Sequence, residues 1–201
     1  MPNHVANNLT VWGQTEDVQE FRSMFFVDNT EKATYNLIFP MPEDLESDVA
    51  PLPKREEETD KQYQTRMKRY KKLYGADNWY DWRITNWKTK WDVYDLYVEN
   101  ESDDMINVSF SSAWSPPHGW FEKAVEMFPT LHFTMDFIED GDHYCGLAIG
   151  SDGEALVKET DVQYQDEDGN RVKWDTDNMC WMSGAEKLDE DFYPIRINPL
   201  V

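Results

Sequence analysis

The chain has 201 residues and a mass of 23.8 kDa, which suits one domain with additions or two small ones, and 40% apolar residues suffice for a packed core. Forty Asp+Glu against nineteen Lys+Arg leave a net charge of −21, which argues against ordinary phosphate-driven nucleic-acid binding and against docking on an anionic membrane. No run approaches the roughly 18 apolar residues of a membrane helix, the start MPNHVANNLT shows no secretory signal, and Cys145 and Cys180 make no disulfide framework. A cytoplasmic protein with buried thiols is the expectation.

His4 to Trp12 alternates, with Val5, Leu9 and Val11 on one face, and predicts a strand. Thr15 is placed to cap a helix with Glu16 and Asp17 in its first turn and Val18, Phe21 and Phe25 as its buried stripe. Tyr35–Phe39 reads as a short apolar strand closed by Pro40 and Pro42. A polar, proline-containing connection over 41–58 leads to Thr59 and Gln62, a capping box, and then to an amphipathic helix over 60–74 with Tyr63, Met67, Tyr70 and Tyr74 along one stripe. Gly75 is its expected stop.

Residues 78–91, NWYDWRITNWKTKW, are expected to form a helix that brings Trp79, Trp82 and Arg83 together, with strand as the competing assignment around Arg83 to Thr85. Val93–Val98 and Met105–Ala113 alternate and should pair as an antiparallel hairpin. Ser115, Pro116 and Pro117 open a helix with Trp120, Phe121, Ala124, Val125 and Phe128 on its apolar face. Leu131–Phe137 and Tyr144–Ile149 follow as strands, the second with Gly146 at a bulge or a close crossing. Val162 and Tyr164, then DEDGN, then Val172 and Trp174, form a further hairpin, and 175–201 has no convincing period.

This order, with helices covering one face of a mostly antiparallel sheet, fits an α+β ferredoxin-like fold. The expected organisation is a ferredoxin-like domain over 1–155 with a helical insertion at about 41–76, and an acidic extension with a hairpin over 156–201.

Charge is unevenly distributed. Residues 54–74 carry eight bases against four acids, whereas 136–191 carry seventeen acids against four bases. A basic helix on an acidic body results, either as two solvated faces or as a surface for basic partners with a separate element that attracts an anion. Aromatic residues reach 14%, and of nine tryptophans four fall between 79 and 91, with two more at 114 and 120.

The start MPNHVANNLTVWG, the segment LIFPMPEDL, the block WYDWRITNWKTKWD and the run FSSAWSPPHGWFEKAVEMFP resemble the YubB-like family of plasmid- and phage-encoded proteins of unknown function. The resemblance covers most of 1–150 and is weakest in the basic insertion and after 155. It implies a ferredoxin-like domain and a mobile-element origin, and supplies no catalytic residues. The family pattern has glycine where this chain has Lys88.

Chemistry-bearing spacings are sparse. His4, His118, His132 and His143 show no zinc-ligand pattern, although His132 and His143 could meet across adjacent strands. Asp140, Asp142, Asp152 and Glu154 could gather at loop ends around a hard cation, or simply be solvated turns. Cys145 lies in a predicted strand, GSDG at 150–153 reads as a turn, and neither a Walker loop nor GxSxG is present. No catalytic residue, metal or cofactor is expected.

The remaining candidate site is aromatic: Trp79, Tyr80, Trp82, Arg83, Trp87, Lys90, Trp91, Trp114 and His118, with Lys88 beside them. Trp and Tyr with Arg stack a base or anchor a protein, and the same rings could equally be core. Three functions follow. The first is a non-enzymatic phage or plasmid accessory protein that binds and blocks a host protein, for instance a basic nucleic-acid-binding or defence protein, including by nucleic-acid mimicry. The second is a binder that sequesters a signalling nucleotide. The third is a metal-dependent hydrolase using the C-terminal acids. Direct DNA binding is not expected, and the oligomeric state is left open.

Overall fold

The structure, a computed structural model, describes residues 3–27, 32–141, 143–188 and 192–201. Strand β1 (His4–Trp12) is followed by helix α1 (Thr15–Phe25), and the hairpin β2 (Tyr94–Ser102) and β3 (Met105–Ala113) by helix α4 (His118–Met127) and β4 (His132–Glu139). Two further strands, β5 (Cys145–Ser151) and β6 (Glu154–Thr160), extend the sheet, whose order is β2-β3-β1-β4-β5-β6 with every neighbour antiparallel. The first four strands in the order 2-3-1-4, with a helix after β1 and another after β3, make the fold ferredoxin-like, as the hydrophobic periods predict. Strand β6 crosses residue 155, so the first sheet runs on to Thr160.

Alternation decides which sheet face is covered. Val5, Leu9 and Val11, with Ile106, Val108 and Phe110 on β3 and Phe133, Met135 and Phe137 on β4, point to the helix side and are buried. Phe21 of α1 meets Phe133 edge-on at 5.6 Å, and Phe25 lies 5.3 Å from Trp120 of α4. Gly146 marks a close crossing. The β4–β5–β6 register runs through it without a shift, and a Cβ there would stand 2.3 Å from the Phe137 ring and 2.4 Å from the Lys158 carbonyl oxygen. The GSDG segment turns β5 into β6 with φ of 54° at Asp152 and 77° at Gly153, the two positive dihedrals of a tight hairpin.

The strand expected at Tyr35–Phe39 is absent. Tyr35 and Ile38 are both buried, three residues apart, as one turn of chain requires and a strand does not allow. The turn closes with Phe39 N–H donating to the Tyr35 carbonyl (2.8 Å), while Asp92 Oδ1 accepts from Tyr35 N–H (2.7 Å) and Asn36 Oδ1 from Met41 N–H (2.7 Å). With its donors met by side chains, the segment needs no neighbouring strand.

In the insertion, a 3₁₀ turn (Glu43–Leu45) precedes helix α2 (Asp60–Tyr74). Thr59 and Gln62 form the full capping box, and Gly75 ends the helix at φ 77°. Tyr70 and Tyr74 donate their hydroxyls to Asp44 (3.0 and 2.8 Å), which hold its carboxyl below the usual range and fasten the helix to the turn. Met67 and Tyr70 are buried against the body with Leu52.

The C-terminal segment forms a second antiparallel sheet. Its strands are β7 (Gln163–Gln165), β8 (Arg171–Asp175), β9 (Cys180–Ser183), β10 (Glu186–Lys187) and β11 (Ile195–Ile197), in the order β10-β9-β8-β7-β11. The β7–β8 hairpin matches the sequence expectation. The strands in the unperiodic tail were not legible, because they are two to four residues long and Cys180 alone among them is buried. Val162, Val172 and Cys180 are the buried apolar residues among those described in this segment, and Asn198 Nδ2 donates to the Gly146 carbonyl at 2.6 Å, tying the tail to the first sheet.

Candidate functional site

Helix α3 (Trp79–Asn86) is capped by Asn78, whose side-chain oxygen accepts from Asp81 N–H at 3.0 Å. It ends five residues earlier than the aromatic spacing suggests. Trp87 N–H and Lys88 N–H both donate to the Arg83 carbonyl, and Lys88 turns out of the helix at φ 69°, the conformation glycine adopts most readily. Residues 89–91 then run beside the end of β3. Thr89, fully buried, exchanges hydrogen bonds with both backbone groups of Ala113 (2.9 and 3.1 Å), and Ser115 donates its hydroxyl to the Lys88 carbonyl.

The tryptophan cluster thereby divides in two. Trp82 and Trp87 are core residues, 5% and 1% exposed, and the structure removes them from the surface set. Their indoles meet at 5.7 Å, Phe39 packs on Trp82, Tyr35 on Trp87, and Trp87 Nε1 donates to the Phe39 carbonyl at 2.8 Å. The physical reason is where α3 ends: Trp82 lies on the buried face of the helix, Trp87 is the residue at its C-terminal cap, and the two rings together fill the gap to the 35–39 turn.

The other rings form a chain of edge contacts at the surface. Trp79 meets Tyr80 at 5.8 Å, Tyr80 meets Trp114 at 5.9 Å, and Lys90 Nζ lies 4.7 Å from the Trp114 ring and 5.1 Å from the Trp91 ring. Trp91 continues to Tyr94 at 5.8 Å, whose hydroxyl hydrogen-bonds His4 Nδ1 at 2.7 Å. Trp114 is 40% exposed and sits at φ 75°, a costly conformation for a bulky side chain. It is held there by its N–H donating to the Asn3 carbonyl (2.8 Å) and by Tyr144 donating to its own carbonyl (2.9 Å).

Arg83 is half-buried, with its guanidinium between the Trp79 and Trp87 rings at 5.2 and 4.9 Å. Burial pushes its pKa down, against the charges of Asp92 and Glu46, and Nε finds no partner among the described residues. Both neighbouring ring faces are therefore engaged by Arg83 itself. Acidic groups border the rest of the patch: burial first, then the charges of Asp95 and Asp140, push the Tyr94 hydroxyl up to about 12, and burial, then Glu159 and Glu139, raise that of Tyr144. Tyr94 and Tyr144, absent from the expected set, carried no sequence signal beyond ordinary strand aromatics.

His118 lies at the first position of α4, its ring 5.0 Å from Phe137 and Nδ1 3.8 Å from Glu159. Burial lowers its pKa to about 4. The folded value lies below that of a free histidine, so the unfolded chain binds the extra proton first and the fold loses stability as pH falls from about 6.5 to 4. A loss of up to about 3 kcal/mol follows from linkage. Chemical denaturation at pH 7 and pH 4.5 should show this loss, and His118→Gln should shrink it; an unchanged pH slope in the variant would assign the loss to other groups.

Other expected clusters are separated. His132 stacks on Trp12 at 5.4 Å at one end of β4, and His143 Nδ1 sits 2.9 Å from Glu139 at the other, because the antiparallel β4–β5 hairpin places residues 132 and 143 at opposite ends. Asp140 precedes β5 while Asp152 and Glu154 follow it, and seven strand residues span roughly 23 Å. Asp142 lies outside the described residues, and among those described no group of three potential ligands could hold a metal ion. Cys145 is buried in β5, and desolvation raises its thiol pKa.

No curated protein matches this chain. Among solved structures, the crystal structure of a protein Api92 from Yersinia pseudotuberculosis is similar, with a TM-score of 0.49 and 9% identity over 80% of this chain and 98% of that one. Residues 93–181, from just before β2 to within β9, match the family model described as the ferredoxin-like domain in Api92-like protein, so the segment that contributes Tyr94, Trp114, His118 and Tyr144 is similar to that domain.

Proposed function

We propose that this protein is a non-enzymatic accessory protein of a phage or plasmid that binds and blocks a basic host protein, in the manner of a counter-defence inhibitor. The observation that carries this reading is Trp114: a large ring, partly exposed, held at an unfavourable φ and flanked by Lys90 and Tyr80. A ring kept out at conformational cost is the kind of anchor that dominates protein interfaces. The carboxylates of Asp95, Asp140 and Glu159 around the patch favour a partner bearing Arg or Lys, and the net charge of −21 steers such a partner toward it. The same acidic surface supports nucleic-acid mimicry as the means of blocking. The mobile-element origin draws on the resemblance to the YubB-like plasmid and phage family.

Trp114→Gly tests the reading, because glycine removes the ring and relieves the positive φ together. The variant should melt within about 2 °C of the parent or above it, since Gly suits this backbone. Low-salt affinity capture from host lysate should recover a basic protein with the parent, lose it as ionic strength rises, and recover at least tenfold less with the variant. Capture that survives Trp114→Gly, or no basic partner at low salt, would overturn the proposal, as would multiple turnover of any compound by purified protein.

A further inference from the structure

The insertion shows a separate feature that the aromatic surface does not use. From Lys61 to Tyr74, helix α2 carries six Lys and Arg residues and no acid, in a chain with about two acids for every base. A solvated helix is ordinarily stabilised by acid–base pairs three or four residues apart, and like charges at that spacing repel. Two of the six cations have partners elsewhere: Arg66 makes a two-point contact with Glu58 (2.8 and 2.7 Å), and Lys71 pairs with Asp77 at 3.1 Å. Among the described residues, no carboxylate lies within ion-pair distance of Lys61 or Arg69.

These unpaired cations line a groove of about 430 Å³ with Arg55, Arg66, Gln62 and Tyr70. The groove is built rather than incidental. Arg66 is fixed by Glu58 and lies over the rings of Tyr63 and Tyr70 at 5.4 and 5.8 Å. Arg55 reaches across from the preceding loop to the Tyr70 hydroxyl at 3.3 Å. The Gln62 carbonyl oxygen is spent in the capping box, which leaves its amide N–H groups as the side chain's remaining donors. Asp44 places one carboxylate on the same wall, held by Tyr70 and Tyr74, so the lining remains net positive after it and Glu58 are counted.

We propose that this groove binds a small phosphate ester of mononucleotide size, with Lys61, Arg69 and Arg55 on the phosphate oxygens and the arginine stems with Thr65 against the rest of the molecule. The guanidinium fork matches phosphate geometry, and the volume lies in the range of small-molecule sites. The strongly acidic body opposes a long polyanion but leaves a compact anion able to reach a local basic recess.

The test is thermal denaturation of the full chain with ADP, inorganic phosphate or adenosine at matched ionic strength. ADP at tenfold over its Kd should raise the melting temperature by about 3 °C. Inorganic phosphate should raise it less and adenosine not at all. The double variant Lys61→Gln/Arg69→Gln breaks no ion pair, so it should melt like the parent without ligand and lose the ADP shift. No shift with either phosphate compound, or an equal shift in the double variant, overturns the proposal. A 12-nucleotide single-stranded DNA that binds at least tenfold tighter than ADP also overturns it, by assigning α2 to a polyanion. None of these outcomes depends on Trp114, so this proposal and the aromatic interface stand or fall separately.

Discussion

Gly119→Ala is expected to lower the melting temperature by roughly 6–12 °C, from an over-packing cost of about 3 kcal/mol in a chain of this length. The second residue of α4 passes so close to the end of α3 that an added Cβ would stand 1.8 Å from the Asn86 carbonyl oxygen and 3.3 Å from Lys88 Cγ. The first of these is a backbone atom with no rotamer to yield, so one of the helices must move. That movement shifts Lys88, and with it the hydrogen bonds joining residues 88–90 to Ala113 and Ser115. The variant should therefore lose both stability and partner capture, as read by differential scanning calorimetry and the low-salt capture assay. A variant that melts within 2 °C of the parent would show that α3 and α4 do not approach as described.

Trp87→Ala should cost about 4 kcal/mol, the usual price of emptying a tryptophan-sized site in a core. The indole is 1% exposed, packs on Tyr35 and Trp82, and supplies the donor for the Phe39 carbonyl. Trp87→Phe keeps much of the buried area and forfeits that hydrogen bond, so it should lose less than half as much. Equilibrium urea unfolding orders the three proteins. If Trp87→Ala unfolded at the parent's midpoint yet failed to capture a partner, the indole would belong to the binding surface and the division of the cluster would be wrong. Trp114→Gly is the counterpart, with stability kept and capture lost.

The contrast between Trp87 and Trp114 shows what periodicity conveys. Strands β1, β3 and β4 were legible because each buries alternate residues against helices, and α1, α2 and α4 because each buries a stripe at helical spacing. The Tyr35–Phe39 turn was misread because five residues with apolar ends satisfy either period, and the deciding hydrogen bond comes from Asp92, 57 positions along the chain. Strands β9, β10 and β11 were missed because exposed short strands leave almost no hydrophobic pattern.

By itself, the sequence determined the ferredoxin-like order of elements, the basic helix on an acidic body, and the residue types of the aromatic block, since local burial patterns and charge are properties of the chain alone. The tertiary structure decided which tryptophans are core and which are surface, and it parted His132 from His143, expected to meet across adjacent strands, and Asp140 from Asp152, expected to meet at loop ends. It also placed Tyr144 against Trp114 and Tyr94 against Trp91. Each of those outcomes depends on which strand ends and helix ends meet, and that is set by the register and crossing of elements far apart along the chain.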